Sequence, residues 1–500
     1  MSDPGFPVDL RRDPELVAAG SYDLAIVGGG IQGATLALEA ARRGLSTLLL
    51  ERGDFGGATS WNSLRIVHGG LRYLQSLDLP RFRESVGERR WFLREFPDLV
   101  EPLPCLMPLY DPPRGGPLRR PLPLRAALAA DGLLRGSRDP GLPASRLLGR
   151  RETAERFPGV DSGGPDRLLG GALWHDAVVP DSHRLVIEIL RWAAACGARV
   201  LNYAEALDLR LSPGGSRVAG LRALDRLTGA RLLFATKAVI NCAGPWCRQV
   251  ARRFDRDVPG LFRSVLAWNV LLDREPPAPL AIAAAAPSRA AGPKAQTFFV
   301  LPWKGRTLAG TAYAAPAGAA EPAQGAPGPE AVHSFLADLN AALPSLAARP
   351  EQVLRVFWGW LPGQPAHPGQ PADTPASKPV IYDHGRHGGP RGLISVSGVK
   401  LTTARALSVR VLETLFDHAG SSLPEVGPTP RPAADAPWTF DELIHRAESD
   451  PDAARHHLRG LAERQAAVHL EDLLLRRTDW GIFPARAALA ERLCRALGWA

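Results

Sequence analysis

At 500 residues the chain is too long for one ordinary hydrophobic core, and two or three domains are expected. Its 45% hydrophobic and 22% charged residues are those of a globular protein, and no run approaches the roughly eighteen apolar residues of a membrane-spanning helix. The net charge of +9 is arginine-borne with no basic stripe interleaved with aromatics, which argues against nucleic acid, and five scattered cysteines without a C-x-x-C pair argue against a zinc site or a disulfide framework.

The N-terminus, MSDPGFPVDLRRDPELVAAG, has acids among its bases and no apolar h-region. No signal peptide is expected, and 1–21 reads as a polar arm. Tyr22-Asp-Leu-Ala-Ile-Val27 has the pattern of a short buried strand. It runs into Gly28-Gly-Gly-Ile-Gln-Gly33, and a small-residue helix follows over Ala34 to Arg43. Gly44 stops that helix, and Ser46-Thr-Leu-Leu-Leu-Glu51 is a second strand. A βαβ unit of about thirty residues is the context that makes a G-x-G-x-x-G match informative. The helix N-terminus after Gly30 is placed to hold a pyrophosphate. Glu51, 21 residues after Gly30, would accept from the adenosine ribose hydroxyls. A glycine turn that only packs helix on strand leaves Glu51 unexplained.

The stretch Ser63-Leu-Arg-Ile-Val-His-Gly-Gly-Leu-Arg-Tyr-Leu74 follows closely. It gathers Arg65, His68, Arg72 and Tyr73 around Gly69-Gly70, where two glycines would let the backbone approach a flat cofactor. Residues 80–97 read as an amphipathic helix closed by Pro97. In 112–147, Arg119, Arg120 and Arg125 stand beside Leu118, Leu122 and Leu124. That mixture fits either a basic membrane-facing surface or a helical excursion packed on its own protein.

From Asp181 the pattern turns regular, with a helix over Arg184 to Cys196 and a strand over Gly197 to Asn202. A meander follows, with a hairpin turn at Asp225 to Gly229. Ala238 to Gly244 is another buried strand ending in glycine. Runs at Ser264–Leu272, Thr297–Pro302 and Thr307–Thr311 alternate as an antiparallel sheet would. Loops are expected at 314–329 and 362–379, a strand at Gly392–Gly398 and a helix over Leu401 to Leu415. A proline-rich linker, 422–437, leads to a small helical region at 438–500.

Three features favour FAD over NAD. Ala58-Thr59-Ser60 offer small hydroxyl donors, and Ala243-Gly244 gives a second glycine approach. The turn at Gly398, before a helix starting near Leu401, gives a third, where a helix N-terminus would stabilise charge on a reduced flavin.

The segments GGGIQGA, ATSWNSLRIVHGGLRYL, VINCAGPW, FVLPWKGRTLAGT, SGVKLTTAR and LEDLLLRRTDWG resemble the FAD-dependent glycerol-3-phosphate dehydrogenase family over about residues 22 to 481. The resemblance implies an α/β fold. A Rossmann-like FAD-binding domain would be interleaved with an antiparallel-sheet substrate domain, followed by a small helical C-terminal cap. Expected boundaries are FAD-binding segments at about 22–110, 181–260 and 380–421, a substrate sheet at about 261–379 and the cap at 438–500.

The implied reaction is oxidation of a secondary alcohol, sn-glycerol 3-phosphate by default, with hydride passing to flavin N5 and electrons to quinone or another acceptor. His68, Arg72, Tyr73 and Lys400 are the catalytic candidates. Lys400 and Arg72 would face an anionic group, and His68 either accepts the proton or orients the glycine turn. The implied cofactor residues are Gly28, Gly30, Ile31, Gln32, Gly33, Glu51, Arg52, Thr59, Ser60, Ser63, Ala206, Ala243, Gly244, Gly398, Lys400, Leu401 and Thr402, with no metal. The setting is cytoplasmic, with contact at the inner face of the cell membrane and a homodimer both left open.

Five departures from the family pattern fall on the substrate side. Asn269 stands where the family has histidine, and Leu361 where it has a phosphate-facing arginine. Lys378 is the nearest match to a later arginine, Gly310-Thr-Ala-Tyr313 replaces Gly-Thr-Thr-Asp, and Gly398-Val-Lys400 replaces Gly-Gly-Lys. Two other readings therefore stay open: a related polyol phosphate, 2-hydroxy acid or amine as substrate, or a non-catalytic FAD-binding subunit.

Overall fold

The computed structural model describes residues 8–70, 73, 78–111, 113–114, 124, 128, 142–160, 167–285, 296–315, 325–364, 374–433 and 435–499. Three sheets organise them. The first has six strands in the order Val380–Asp383, Leu393–Ser397, Val239–Asn241, Leu24–Val27, Thr47–Leu50 and Arg199–Leu201. All neighbours pair in parallel except the edge strand Val380–Asp383. Leu24–Val27 and Thr47–Leu50 are buried at every position, as strands covered on both faces must be, which is why they read as unbroken apolar runs. Helices Ile31–Ala41, Ser182–Ala195 and Ala404–Ala419 cover one face of the sheet and share a core with it, and strands of a second sheet, with Ala206, Leu221, Ala223 and Phe234, cover the other.

The second sheet has four strands: Ser21–Tyr22, Arg231–Thr236, Val218–Asp225 and Ala204–Leu211. Its hairpin closes through Asp225, whose carboxylate accepts from the Leu227 N–H at 2.9 Å while the Gly229 N–H donates to the Asp225 carbonyl at 2.8 Å. The third sheet has nine strands. Eight follow one another as Val353–Pro362, Ser264–Leu272, Arg306–Ala314, Thr297–Trp303, Ala281–Ala285, Glu101–Asp111, Arg167–Val178 and Ile66–Val67, and Arg146–Gly149 pairs off Arg167–Val178. Helix Pro329–Ala342 packs Phe335 against Trp268 and Phe298 on this sheet.

Several sequence-based expectations need correction. Glu101–Asp111, taken into the expected FAD-binding segment 22–110, runs antiparallel to Arg167–Val178 along its whole length, inside the nine-stranded sheet. The arm 1–21 is not simply polar in its described part, because Val8, Leu10 and Val17 are buried and Arg12 pairs with Asp225 at 2.6 Å. Arg119, Arg120, Arg125, Leu118 and Leu122 lie outside the described residues, whereas Leu124 is buried in the core of the large sheet. No helix among the described residues is long and apolar enough to cross a membrane.

The C-terminal helices Phe440–Ser449, Pro451–Arg464 and Pro484–Ala496 have a core of their own around Leu443, Leu461 and Trp480. Thr439 and Glu442 cap the first of them reciprocally. The region is docked as well as folded. Arg355 donates to the Gly481 and Ile482 carbonyls at 2.9 Å, Arg184 to the Arg477 carbonyl at 3.0 Å, and Lys304 pairs with Asp479 at 2.6 Å.

Candidate active site

A cavity of about 640 Å³ opens where the three sheets meet. At one end stands the turn after strand Leu24–Val27. Gly28 has φ +112° there, and a Cβ on it would sit 2.6 Å from the Cys242 carbonyl. The Glu51 carboxylate accepts from the Gly29 N–H at 2.7 Å and the Gly53 N–H at 2.8 Å. Burial raises its carboxyl above the ordinary value, opposed by those two N–H groups and by Arg52. Arg52 Cζ lies over the Trp246 ring, 4.5 Å from its centre, and Ala206 and Gly244 also line the cavity. Ser60 Oγ accepts from the Ile31 N–H at 2.9 Å at the mouth of helix Ile31–Ala41, which leaves its own proton free to donate.

The other end is walled by the large sheet. Asn269 is 3% exposed and locked on both sides: its amide donates to the Asn62 carbonyl at 3.1 Å, and its oxygen accepts from Thr311 Oγ1 at 2.8 Å. Tyr313, Leu361 and Trp360 continue that wall, and Thr59 Oγ1 donates to the Trp360 carbonyl at 3.0 Å. Lys400 is exposed at the cavity edge. Its ammonium lies 4.4 Å from the centre of the Tyr73 ring and hydrogen-bonds to the Tyr73 hydroxyl.

Of the expected cofactor residues, Gly28, Gly30, Ile31, Gln32, Glu51, Arg52, Thr59, Ser60, Ser63, Ala206, Ala243, Gly244, Gly398, Lys400 and Leu401 line this cavity. Gly33 and Thr402 do not. Gly33 lets the helix close on the strand, since a Cβ there would meet the Gly28 carbonyl at 1.9 Å, and Thr402 is buried behind the wall. The helix expected near Leu401 starts at Ala404, and Gln32 ties into it through the Ala404 carbonyl and Ser408 Oγ.

The His68 stretch is arranged differently from its sequence-based reading. Neither Gly69 nor Gly70 lines the cavity. A Cβ on Gly69 would collide with Arg89 Nη1 at 1.9 Å, so the glycine admits a buried arginine rather than a cofactor. His68 also stands outside the cavity lining, with its Nδ1 3.2 Å from Asp176 and its ring against Phe299. Burial pushes the Asp176 carboxyl up, but His68, Arg89 and the Gly69 N–H outweigh it and hold it below the ordinary aspartate value. Arg65 does not face the cavity. It is buried between Trp303 and Phe357 and donates to Ser182 Oγ at 3.0 Å. Arg72 lies outside the described residues.

Residues 23–406 match the family of FAD-dependent oxidoreductases named DAO. The chain belongs to that family. Among its relatives, glycerol-3-phosphate dehydrogenase 1 of Mycobacterium bovis is 31% identical over 520 residues, which cover 95% of each chain. A glycerol-3-phosphate dehydrogenase of Synechocystis is 30% identical over 439 residues, 85% of this chain and 76% of that protein. The fold resembles that of the Bacillus halodurans glycerol-3-phosphate dehydrogenase complexed with FAD, with a TM-score of 0.68, 22% identity, and coverage of 97% and 93%.

FAD is thus the cofactor, and the cavity fits it on its own evidence. Gly28, Gly30, Gly244 and Gly398 line it without side chains, Ser60 keeps a hydroxyl proton free to donate, and the Glu51 carboxylate stands in its wall as an acceptor for hydroxyl groups. Sequence reasoning did not single out Asp176, Asn62 or Thr311, whose bonds to His68 and Asn269 join positions far apart in the chain. It also missed Arg476, which lines the cavity from the C-terminal helices.

Proposed function

We propose that this FAD-dependent oxidoreductase oxidises the secondary alcohol of a small polyol or hydroxy acid that carries one anionic group. The relatives named for glycerol 3-phosphate make that compound the reference substrate. The observation that carries the narrower reading is the substrate wall, where Lys400 stands with Asn269, Tyr313 and Leu361. Two of those positions hold a neutral amide and an alkyl group where the resembling family has histidine and arginine. An arginine fork to phosphate contributes about 2–3 kcal/mol, so Leu361 weakens phosphate binding by one to two orders of magnitude.

FAD, when bound, supplies the hydride acceptor. The chain's own groups divide the rest. Lys400, fixed by Tyr73, attracts the anionic group, and Arg72 stands beside Tyr73 in the sequence for the same task. The Asn269 amide, held by Thr311 and Asn62, offers a neutral donor to the substrate oxygen but cannot take its proton. His68 stands outside the cavity lining with its side chain 39% exposed, and in this reading it takes the proton through intervening water, with the Asp176 carboxylate fixing its ring. The cofactor segments lie in 22–100, 181–260 and 380–421, the substrate sheet in 261–379 with the added strands near 101–111 and 167–178, and the cap in 438–500.

Electrons then leave to quinone or another acceptor. Arg119, Arg120 and Arg125 favour weak docking on the inner face of the cell membrane, at about 1 kcal/mol per basic residue. Liposome co-sedimentation tests that point, and no binding to anionic vesicles at low salt excludes it. The deciding experiment is anaerobic bleaching of the yellow protein by a panel of polyol phosphates and hydroxy acids. Bleaching by glycerol 3-phosphate only at high concentration, and by a less charged analogue at lower concentration, is expected. Bleaching by dithionite alone favours a non-catalytic flavin-binding subunit or a substrate outside the panel.

A further inference from the structure

Asp54 lies three residues past Glu51, and its side chain is 1% exposed. Arg477 donates to both its oxygens, Nη1 to Oδ2 and Nη2 to Oδ1, each at 2.7 Å. Arg476 Nε adds a third bond to Oδ2 at 2.7 Å. Arg476 then passes on to Asp472 through Nη2 at 2.6 Å and to Glu471 through Nη1 at 3.1 Å. Asp472 accepts in turn from the Tyr203 hydroxyl at 2.8 Å and from the Val468 and His469 N–H groups at 2.9 Å. Asn202 Nδ2 bridges Asp54 Oδ1 at 3.1 Å and the Ala466 carbonyl at 2.7 Å. Burial alone would raise the Asp54 carboxyl, but Arg477 and Arg476 more than offset it and hold it below its ordinary value.

The geometry of the C-terminal turn explains the convergence. Leu473–Arg477 is a π-helical turn. In a regular α-helix consecutive side chains diverge by about 100°; a wider turn reduces that angle and brings adjacent arginines closer in direction, and such turns are frequent at functional sites. Arg476 also lines the cofactor cavity beside Gly56 and Gly57, and its Cδ lies 3.9 Å from where a Gly57 Cβ would stand. Asp54 and Asp472 balance the two arginines within the cluster. Arg476 is therefore no spare counter-ion for a diphosphate; it fixes the shape of the loop between Glu51 and Ser60.

We propose that Arg476 and Arg477 are cofactor-positioning residues, and that docking of the C-terminal helical region and binding of FAD reinforce one another through Asp54. The loop they hold carries the cavity-lining residues Thr59 and Ser60 and follows directly on Glu51. Its shape thus depends on side chains more than 400 positions away in the chain. Such coupling is reciprocal: whatever the docked region adds to FAD affinity, FAD returns to docking.

Two measurements test this. FAD is titrated into flavin-free wild type, Arg476→Ala, Arg476→Lys and Asp54→Asn, followed by flavin fluorescence quenching. Arg446→Ala, on the outer helix of the same region, serves as control. At least tenfold weaker binding is expected for Arg476→Ala and Asp54→Asn, partial recovery in Arg476→Lys, and no change in the control. Independently, limited proteolysis of the wild type compares cleavage within 438–500 with and without FAD, and at least fivefold protection by FAD is expected. An unchanged dissociation constant in folded Arg476→Ala or Asp54→Asn overturns the proposal. If neither variant folds, a cleavage rate indifferent to FAD overturns it.

Discussion

Four residues in and beside the cavity each make a separate prediction. Gly30 and Gly33 belong to one motif but do different work. A Cβ on Gly30 meets only Ser60 Oγ at 3.1 Å, whereas one on Gly33 meets the Gly28 backbone carbonyl at 1.9 Å. Gly30→Ala should therefore keep the flavin colour, Gly30→Val should yield colourless protein because its branch enters the cavity, and Gly33→Ala should lose both flavin and stability. Absorbance at 450 nm per mole of protein (a wavelength typical of oxidised flavins) together with thermal melting checks all three. On the substrate side, Lys400→Ala should lower kcat/KM at least tenfold, since a hydrogen bond to a charged group contributes about 1.5–3 kcal/mol and Lys400 is exposed at the cavity edge. Leu361→Arg should lower KM for glycerol 3-phosphate. A micromolar KM in the wild type, unchanged in Leu361→Arg, would refute the altered specificity.

At the scale of the element, helix Ser182–Ala195 carries a pH-dependent cost. His183 is 1% exposed on it, and neither ring nitrogen has a hydrogen-bond partner among the described residues. Burial, with Arg65, Arg184 and Lys304 nearby and Asp479 opposing them, holds its pKa well below the ordinary 6.5. The unfolded chain therefore takes up a proton as pH falls through about 6.5 while the folded chain does not, so folding stability falls in that direction. The limit is about 1.4 kcal/mol per pH unit for one such group. Melting temperature measured from pH 7.5 to 5 should drop in the wild type and drop less in His183→Gln. Equal slopes would show that other groups dominate. The helix itself was legible from its apolar spacing, but the burial of His183 was not, because the groups around it, Arg65, Lys304 and Asp479, come from distant parts of the chain.

For the whole molecule, the sheets, the cavity and the C-terminal helices share buried contacts, and a ligand bound only by the folded state stabilises all of them together. Adding FAD to flavin-free protein at a hundredfold excess over its dissociation constant should stabilise it by about 2.7 kcal/mol. Calorimetry should show one transition moving upward as a unit. A separate, FAD-insensitive transition would mean that the C-terminal region unfolds on its own.

The sequence by itself determined the cofactor half of this protein. A βαβ unit is local, its glycines and Glu51 are fixed by chain geometry within about thirty residues, and buried parallel strands announce themselves as apolar runs. The resemblance extended that reading to the family. Tertiary structure alone decided the substrate wall and the clasp. Long strands such as Glu101–Asp111, interrupted by prolines, and Arg167–Val178, interrupted by Gly170-Gly171, carry weak alternation and take their identity from each other. Asn269 meets Thr311 and Asn62, His68 meets Asp176, and Asp54 meets Arg476 and Arg477 across separations of 42, 207, 108, 422 and 423 residues. Nothing in local sequence encodes such pairings, because their energy comes from burying two distant groups in one place.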